Sequence, residues 1–166
     1  MTAAHPLLSI RPASVDDVPL IRQLIAELAE YERLADAAVA TDDSLREQLF
    51  GARPAAEVLI GEVDGEAAAF ALFFHNYSTF LGKPGIYLED LFVIPEARGR
   101  GLGKALLKAI GQLAVERDCG RIEWSVLDWN TPAIGFYEKL GAKPVGGWTV
   151  YRMTGEAISS LANGAT

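Results

Sequence analysis

Hydrophobic positions follow two different periods along this chain, and the changes between them mark out its elements. Leu7–Pro12 reads as a short opening strand closed by a proline. Ile21, Leu24, Ile25 and Leu28 then recur every three or four residues, which predicts an amphipathic helix from about Asp16 to Arg33. Ser14, with Asp17 three residues on, resembles a capping box at its start. A second short helix is expected after Thr41, through Leu45 and Leu49 to Gly51. From Glu57 the period shortens. Val58–Val63 and Glu66–His75 read as strands joined at Asp64-Gly65, a strong hairpin signal. Pro84-Gly85 marks a turn before a strand over Ile86–Ile94, which Pro95 ends because it has no amide hydrogen. Gly99–Gly103 opens a helix to about Arg117, with Leu102, Leu106, Ile110 and Leu113 on one face. Arg121–Leu127 is expected as a strand and Thr131–Leu140 as a short helix stopping at Gly141. Two more strands are expected near Ala142–Val145 and Trp148–Met153, before a weakly specified tail from about Ala157. This order predicts an α/β fold: one domain over residues 1–166, with a core at about 7–154 and a mixed, mostly antiparallel sheet.

Composition narrows the function classes. The chain has 166 residues and a formal charge of -7, which disfavours a nucleic-acid partner and suits a cationic one. Cys119 is the single cysteine, and His5 and His75 are the two histidines, so no metal site is expected. Met1–Ser9 has no basic residue and does not read as a signal peptide. Apolar runs such as Ala67–Phe74 fall far short of the roughly 18 residues of a membrane span. The expectation is a cytoplasmic protein without metal or membrane attachment.

The chemistry concentrates at Arg98-Gly99-Arg100-Gly101-Leu102-Gly103-Lys104, between a strand and a helix. Glycines let the backbone approach a ligand, helix-start amides attract anions, and three cations add charge, so a pyrophosphate suits the loop. A nucleotide-hydrolase P-loop fails here, because Arg98 and Ala105 stand where glycine and Ser/Thr are needed. The dinucleotide fingerprint also fails, its third glycine falling on Lys104 or Leu106. Arg/Gln-x-x-Gly-x-Gly/Ala fits at Arg98, Gly101 and Gly103.

That pattern resembles the coenzyme A loop of the GNAT superfamily of N-acetyltransferases. Ile10–Ala13, Glu27–Glu32, Tyr87–Val93 and Trp129–Tyr137 are similar to its diamine (spermidine/spermine) and thialysine branch, so the likeness covers roughly Ile10 to Ala142. The resemblance implies a GNAT-like sheet flanked by helices, acetyl-CoA as acetyl donor and a primary amine on a small molecule as acceptor. Acetyl transfer requires an amine to lose a proton, a thioester carbonyl to be polarised and a thiolate to be protonated. Glu89, flanked by Leu88, Leu91 and Phe92, reads as a carboxylate of raised pKa suited to a general base. Strand alternation puts Glu89 and Asp90 on opposite faces. The resemblance makes Glu89 the base, direct or through water, and Tyr137 the general acid. It assigns the backbone of Leu91, Phe92 and Val93 to the pantetheine arm. The loop Arg98, Gly99, Arg100, Gly101, Leu102, Gly103 and Lys104 would take the pyrophosphate. Asn130, Pro132 and Ala133 would also contact coenzyme A, Asn130 capping its helix as well. Tyr31, Glu32, Glu89 and Asp90 would hold the cationic acceptor.

One stretch departs from the polyamine pattern. Ser78-Thr79-Phe80 stands where the polyamine enzymes carry Asp-Pro-Trp, and it is closer to the thialysine type. The expected acceptor is therefore a short amine or a lysine-like amino acid in preference to spermine. A homodimer is implied by the resemblance alone. Acetylation of a protein or peptide amine, and a non-catalytic acetyl-CoA-binding module, are the competing functions.

Overall fold

The computed structural model describes residues 6–164, which form two compact units divided between Leu127 and Asp128. His5 lies outside the described residues. The first unit is a five-stranded sheet in the order β1 (Leu8–Pro12), β2 (Glu57–Val63), β3 (Glu66–Ser78), β4 (Lys83–Val93), β5 (Ile122–Trp124). Every pairing is antiparallel except β4 with β5, giving the expected mixed, mostly antiparallel sheet. Asp64 and Gly65 both take positive φ, 53° and 86°, as a tight turn between twisted strands requires.

Helices cover both faces of this sheet. On one side lie α1 (Val18–Tyr31) and α2 (Asp42–Phe50), whose Val18, Ile21, Leu24, Leu45 and Leu49 pack with Ile60, Phe70 and Phe92. On the other lies α3 (Leu102–Glu116), whose buried stripe of Leu102, Leu106 and Ile110 meets Ala69, Phe73, Ile86 and Leu88. Each such fully buried leucine or isoleucine stabilises the fold by about 1.5–3 kcal/mol. α3 packs closely over Gly61, where an added Cβ would stand 3.1 Å from Leu102 Cδ1.

The 3-10 turn Val15–Asp17 leads into α1, and Ser14 donates its backbone N–H to Asp17 Oδ2 at 2.7 Å. Arg11 on β1 pairs with Asp17 at 2.8 Å and with Glu62 of β2 at 2.7 Å, tying the helix start to two strands.

The second unit holds α4 (Thr131–Lys139) and α5 (Glu156–Ala162). The strands expected near Ala142–Val145 and Trp148–Met153 do not form; both stretches lie outside regular structure. Pro144 has no amide hydrogen to give a ladder, and within its own unit Trp148–Met153 meets no strand to pair with. The tail left unspecified by sequence carries α5. Arg121–Leu127 also shortens to the three residues of β5.

Candidate active site

The site is built around a fault in the pairing of β3 with β4. Leu72 stands opposite Asp90 and Phe73 opposite Leu88, so Glu89 is an extra residue with no partner across the ladder. Such a bulge shifts the strand's inside-outside frame by one. Ile86 and Leu88 before it, and Leu91 and Val93 after it, all pack in the α3-side cluster, although 88 and 91 would point oppositely in a regular strand. The expectation that alternation separates Glu89 from Asp90 therefore fails. The frame shift leaves both on the α1 side of the sheet, with Phe92.

Glu32, the residue that caps the C-terminal end of α1, joins them there. Asp90 has its pKa pushed up to about 6, first by burial, then by the like charges of Glu89 and Glu32. Burial also raises Glu32. Glu89 itself is exposed, while Asp90 is the half-buried member of the pair. This follows from the bulge, which lifts Glu89 out of the apolar strand and turns Asp90 inward.

Beyond Leu88 the strand has a free side. β5 pairs with β4 only from Ile86/Ile122 to Leu88/Trp124, while β3 follows β4 as far as Val93. Among the described residues of this unit, no strand pairs with Glu89–Val93 on the β5 side. Arg98 closes one end of it. Its Nε donates to the Val93 carbonyl at 3.0 Å, and its guanidinium lies 4.7 Å from the Tyr31 ring centroid and 5.7 Å from that of Phe92. Between α1 and the end of β4 runs an open cleft of about 600 Å³, lined by Gln23, Glu27, Glu30, Tyr31, Phe92 and Arg98, among others. Sequence reasoning missed Gln23, Glu27 and Glu30. Their spacing with Tyr31 along one face of α1 was the available signal.

The family pattern of the Acetyltransferase (GNAT) family matches residues 21–142. The chain belongs to that family. A thialysine N-epsilon-acetyltransferase of Bos taurus is 38% identical over 92% of this chain and 96% of its own length. An L-ornithine N5-acetyltransferase of Arabidopsis thaliana is 35% identical over 92% of this chain and 86% of its own. Among solved structures, an integron cassette protein from the mobile metagenome of V. cholerae superposes with a TM-score of 0.78 at 25% identity. That match covers 93% of this chain and 97% of the other. These findings place the protein in the diamine/thialysine branch as an acetyl-CoA-dependent N-acetyltransferase.

Within this acetyltransferase, the glycine loop has the shape its sequence suggests. Gly99 and Gly101 take φ of 77° and 89°, in the region that disfavours any residue with a Cβ. Gly101 is the N-cap of α3, and the first helical bond runs from the Ala105 amide to the Gly101 carbonyl at 2.9 Å. The amides of Leu102, Gly103 and Lys104 therefore precede the helical ladder, and the exposed Arg100 and Lys104 flank them. Arg98, expected at the phosphates, is turned instead toward Val93 and Tyr31.

Asn130, Pro132, Ala133 and Tyr137 belong to the second unit. Asn130 is buried at the start of α4, where its Oδ1 accepts the Ala133 amide at 3.3 Å. Pro132 occupies the first turn, where a missing amide hydrogen costs nothing. Tyr137 is half-buried nearly two turns on, its ring 5.4 Å from that of Phe136. No group of metal-ligating side chains gathers among the described residues, and no helix there is long and apolar enough to cross a membrane.

Proposed function

We propose that this acetyltransferase acetylates the side-chain primary amine of a small cationic acceptor, a lysine-like amino acid or short diamine, by direct amine attack. The observation that carries this reading is the meeting of Glu32, Glu89 and Asp90 beside the bare edge of β4. Carboxylates gathered in this way favour an ammonium group. The names of the thialysine and ornithine relatives point to the same acceptor class.

Each step falls to a residue suited to it. Acetyl-CoA supplies an acyl group on a good leaving thiolate. The amides of Leu102, Gly103 and Lys104, with Gly99, Gly101 and the side chains of Arg100 and Lys104, fit its pyrophosphate. The backbone of Leu91, Phe92 and Val93 fits its extended amide arm and polarises the thioester carbonyl. Asn130, Pro132 and Ala133 complete the coenzyme contacts. Tyr31, Glu32 and Asp90 hold the acceptor's cation, and Glu89 takes the ammonium proton, which frees the nitrogen lone pair. As the C–N bond forms and the C–S bond breaks, the Tyr137 phenol gives its proton to the departing sulfur, and the proton that the acylated nitrogen sheds in becoming an amide restores the phenol through solvent.

Ser78 supports a compact acceptor. It is buried at the end of β3, and its hydroxyl accepts the Leu81 amide at 3.2 Å, so it closes a turn where the polyamine enzymes place a carboxylate. We infer in addition a cytoplasmic homodimer with no nucleic-acid or membrane partner. Acetylation of a protein amine is disfavoured by the compact acidic site, and a sensor role by the presence of both Glu89 and Tyr137.

Release of free coenzyme A, measured with a panel of amines, tests the reading. Thialysine, lysine, ornithine or a short diamine is expected to give the highest kcat/KM. Spermine or spermidine leading by a wide margin would discard the acceptor assignment. A lysine peptide leading would move the function to protein acetylation. Silence across the panel with acetyl-CoA still bound would favour the sensor.

A further inference from the structure

β5 and its flanks turn one row of side chains away from α3. Ile122 and Trp124 pack in the α3-side cluster, so Arg121, Glu123 and Ser125 stand on the opposite face of the sheet. The register sets Tyr87 beside Glu123 and opposite Phe74, with Asn76 opposite Gly85, so these side chains share that face. Phe74 and Tyr87 stack with ring centroids 5.2 Å apart and belong to neither buried cluster. On this side α1 and α2 pack farther along the sheet, on Ile60, Phe70 and Phe92.

The polar groups of this face are only partly used. Glu123 Oε2 accepts from Asn76 Nδ2 at 2.8 Å and lies 2.9 Å from Arg121 Nε. Gly85 leaves the space that the Asn76 amide occupies. Glu123 Oε1 and the two terminal nitrogens of Arg121 make no hydrogen bond or ion pair among the described residues. Both side chains are about a third exposed, at 37% and 34%, so they are held yet reachable. Unlike Arg11, which ties a helix start to two strands, Arg121 pairs with a residue two positions along its own strand, and the pair joins no separate elements. An open guanidinium fork beside a carboxylate with one open oxygen complements a zwitterion. The fork takes a carboxylate through two parallel bonds, and the oxygen takes an ammonium. A diamine has no carboxylate to offer the fork; an α-amino acid supplies both groups.

The reacting end lies at a matching distance. Tyr87 and Asp90 share the face away from α3 and stand three residues apart on β4 with the bulge between them, a span of roughly 7–10 Å. A lysine-like side chain covers that span, and the stacked rings of Phe74 and Tyr87 offer an apolar floor for its methylenes. We propose that Arg121 and Glu123, steadied by Asn76, hold the α-carboxylate and α-ammonium of a lysine- or ornithine-like amino acid while its terminal amine reaches Glu89 and Asp90. The proposal rests on the small-amine reading given above and narrows it from amines at large to amino acids.

Release of coenzyme A by the full chain tests it, with lysine and ornithine set against cadaverine and putrescine, the same molecules without the carboxylate. In the wild type kcat/KM is expected to be at least about tenfold higher for each amino acid than for its diamine, the scale of a hydrogen bond between charged groups. Arg121→Gln is expected to lower that ratio at least about tenfold. Glu123→Gln is expected to lower the ratio of lysine to 6-aminohexanoate, which lacks the α-ammonium, by a similar factor. A diamine matching its amino acid in the wild type, or an unchanged ratio in either variant, overturns the subsite and leaves the small-amine reading standing. No turnover of any amine strikes that reading and the subsite with it. If Arg121→Gln does not fold, lysinamide with the wild type decides: a tenfold loss against lysine supports the subsite, and equal values overturn it.

Discussion

Two groups of charged residues sit at opposite ends of this protein's first helical segment, and they are arranged by opposite rules. At its start, Arg11 is shared between Asp17 and Glu62, so every charge has a partner of opposite sign. Asp17 is held down near 2, first by its hydrogen bond to Arg11. At its end, Glu32 meets Glu89 and Asp90, and what acts on Asp90 is burial and like charge, with no cation among the causes. The first group holds strands and helix together. The second gathers like charge at a cost in stability, the pattern expected of a functional site more than of a structural one.

The comparison breaks most visibly through Glu89→Gln. If Glu89 takes the amine's proton, kcat falls by about 10²–10⁴-fold, with acetyl-CoA affinity and thermal midpoint unchanged. A loss under fivefold would mean that the base lies elsewhere.

Asp90→Asn sharpens it, because stability and activity should move in opposite directions. With its pKa raised from 3.8 to about 6, Asp90 binds its proton more tightly folded than unfolded. Stability therefore falls as pH rises between those values, and above about 6 the ionised group destabilises the fold. At pH 8 the variant is expected to gain about 2 kcal/mol in denaturant unfolding, while KM for the amine rises about tenfold. The wild type's rise in kcat/KM through pH 6 should flatten. A variant less stable than wild type at pH 8 would show the carboxylate to be structural.

Asp17→Asn is the smallest effect and the mirror image. Its lowered pKa contributes stability that is complete above the ordinary value of 3.8 and disappears as pH falls through about 2. The Arg11 side chain is 39% exposed, so solvent screens the pair. A loss of about 1–2 kcal/mol at pH 7 is expected, with kcat unaltered. Equal stability of variant and wild type at pH 7 would remove the contrast.

Much of this was legible in the order of residues. The periodicity of Ile21, Leu24 and Leu28 and of Leu102, Leu106 and Ile110 located α1 and α3 and their buried faces. Asp64-Gly65 located the hairpin, and Gly99–Gly103 located the glycine loop that opens α3. The misses have physical causes. Trp148–Met153 has the composition of a strand, but a strand exists only where another pairs with it. Glu89 was read in a regular strand, and the bulge that displaces it lies in the pairing with β3.

The sequence by itself determined the main helices, the first hairpin, the glycine turns and the acetyltransferase family, because helix periodicity, turn chemistry and left-handed glycines act within a few neighbouring residues. Only the tertiary structure decided that Glu89 is lifted out while Asp90 turns in, that Glu32 comes to meet them, and that Arg98 lies over Tyr31. Those facts depend on the register between two strands and on where a helix ends against a sheet. Both are set by contacts between residues far apart in the chain, whose free energy no local pattern contains.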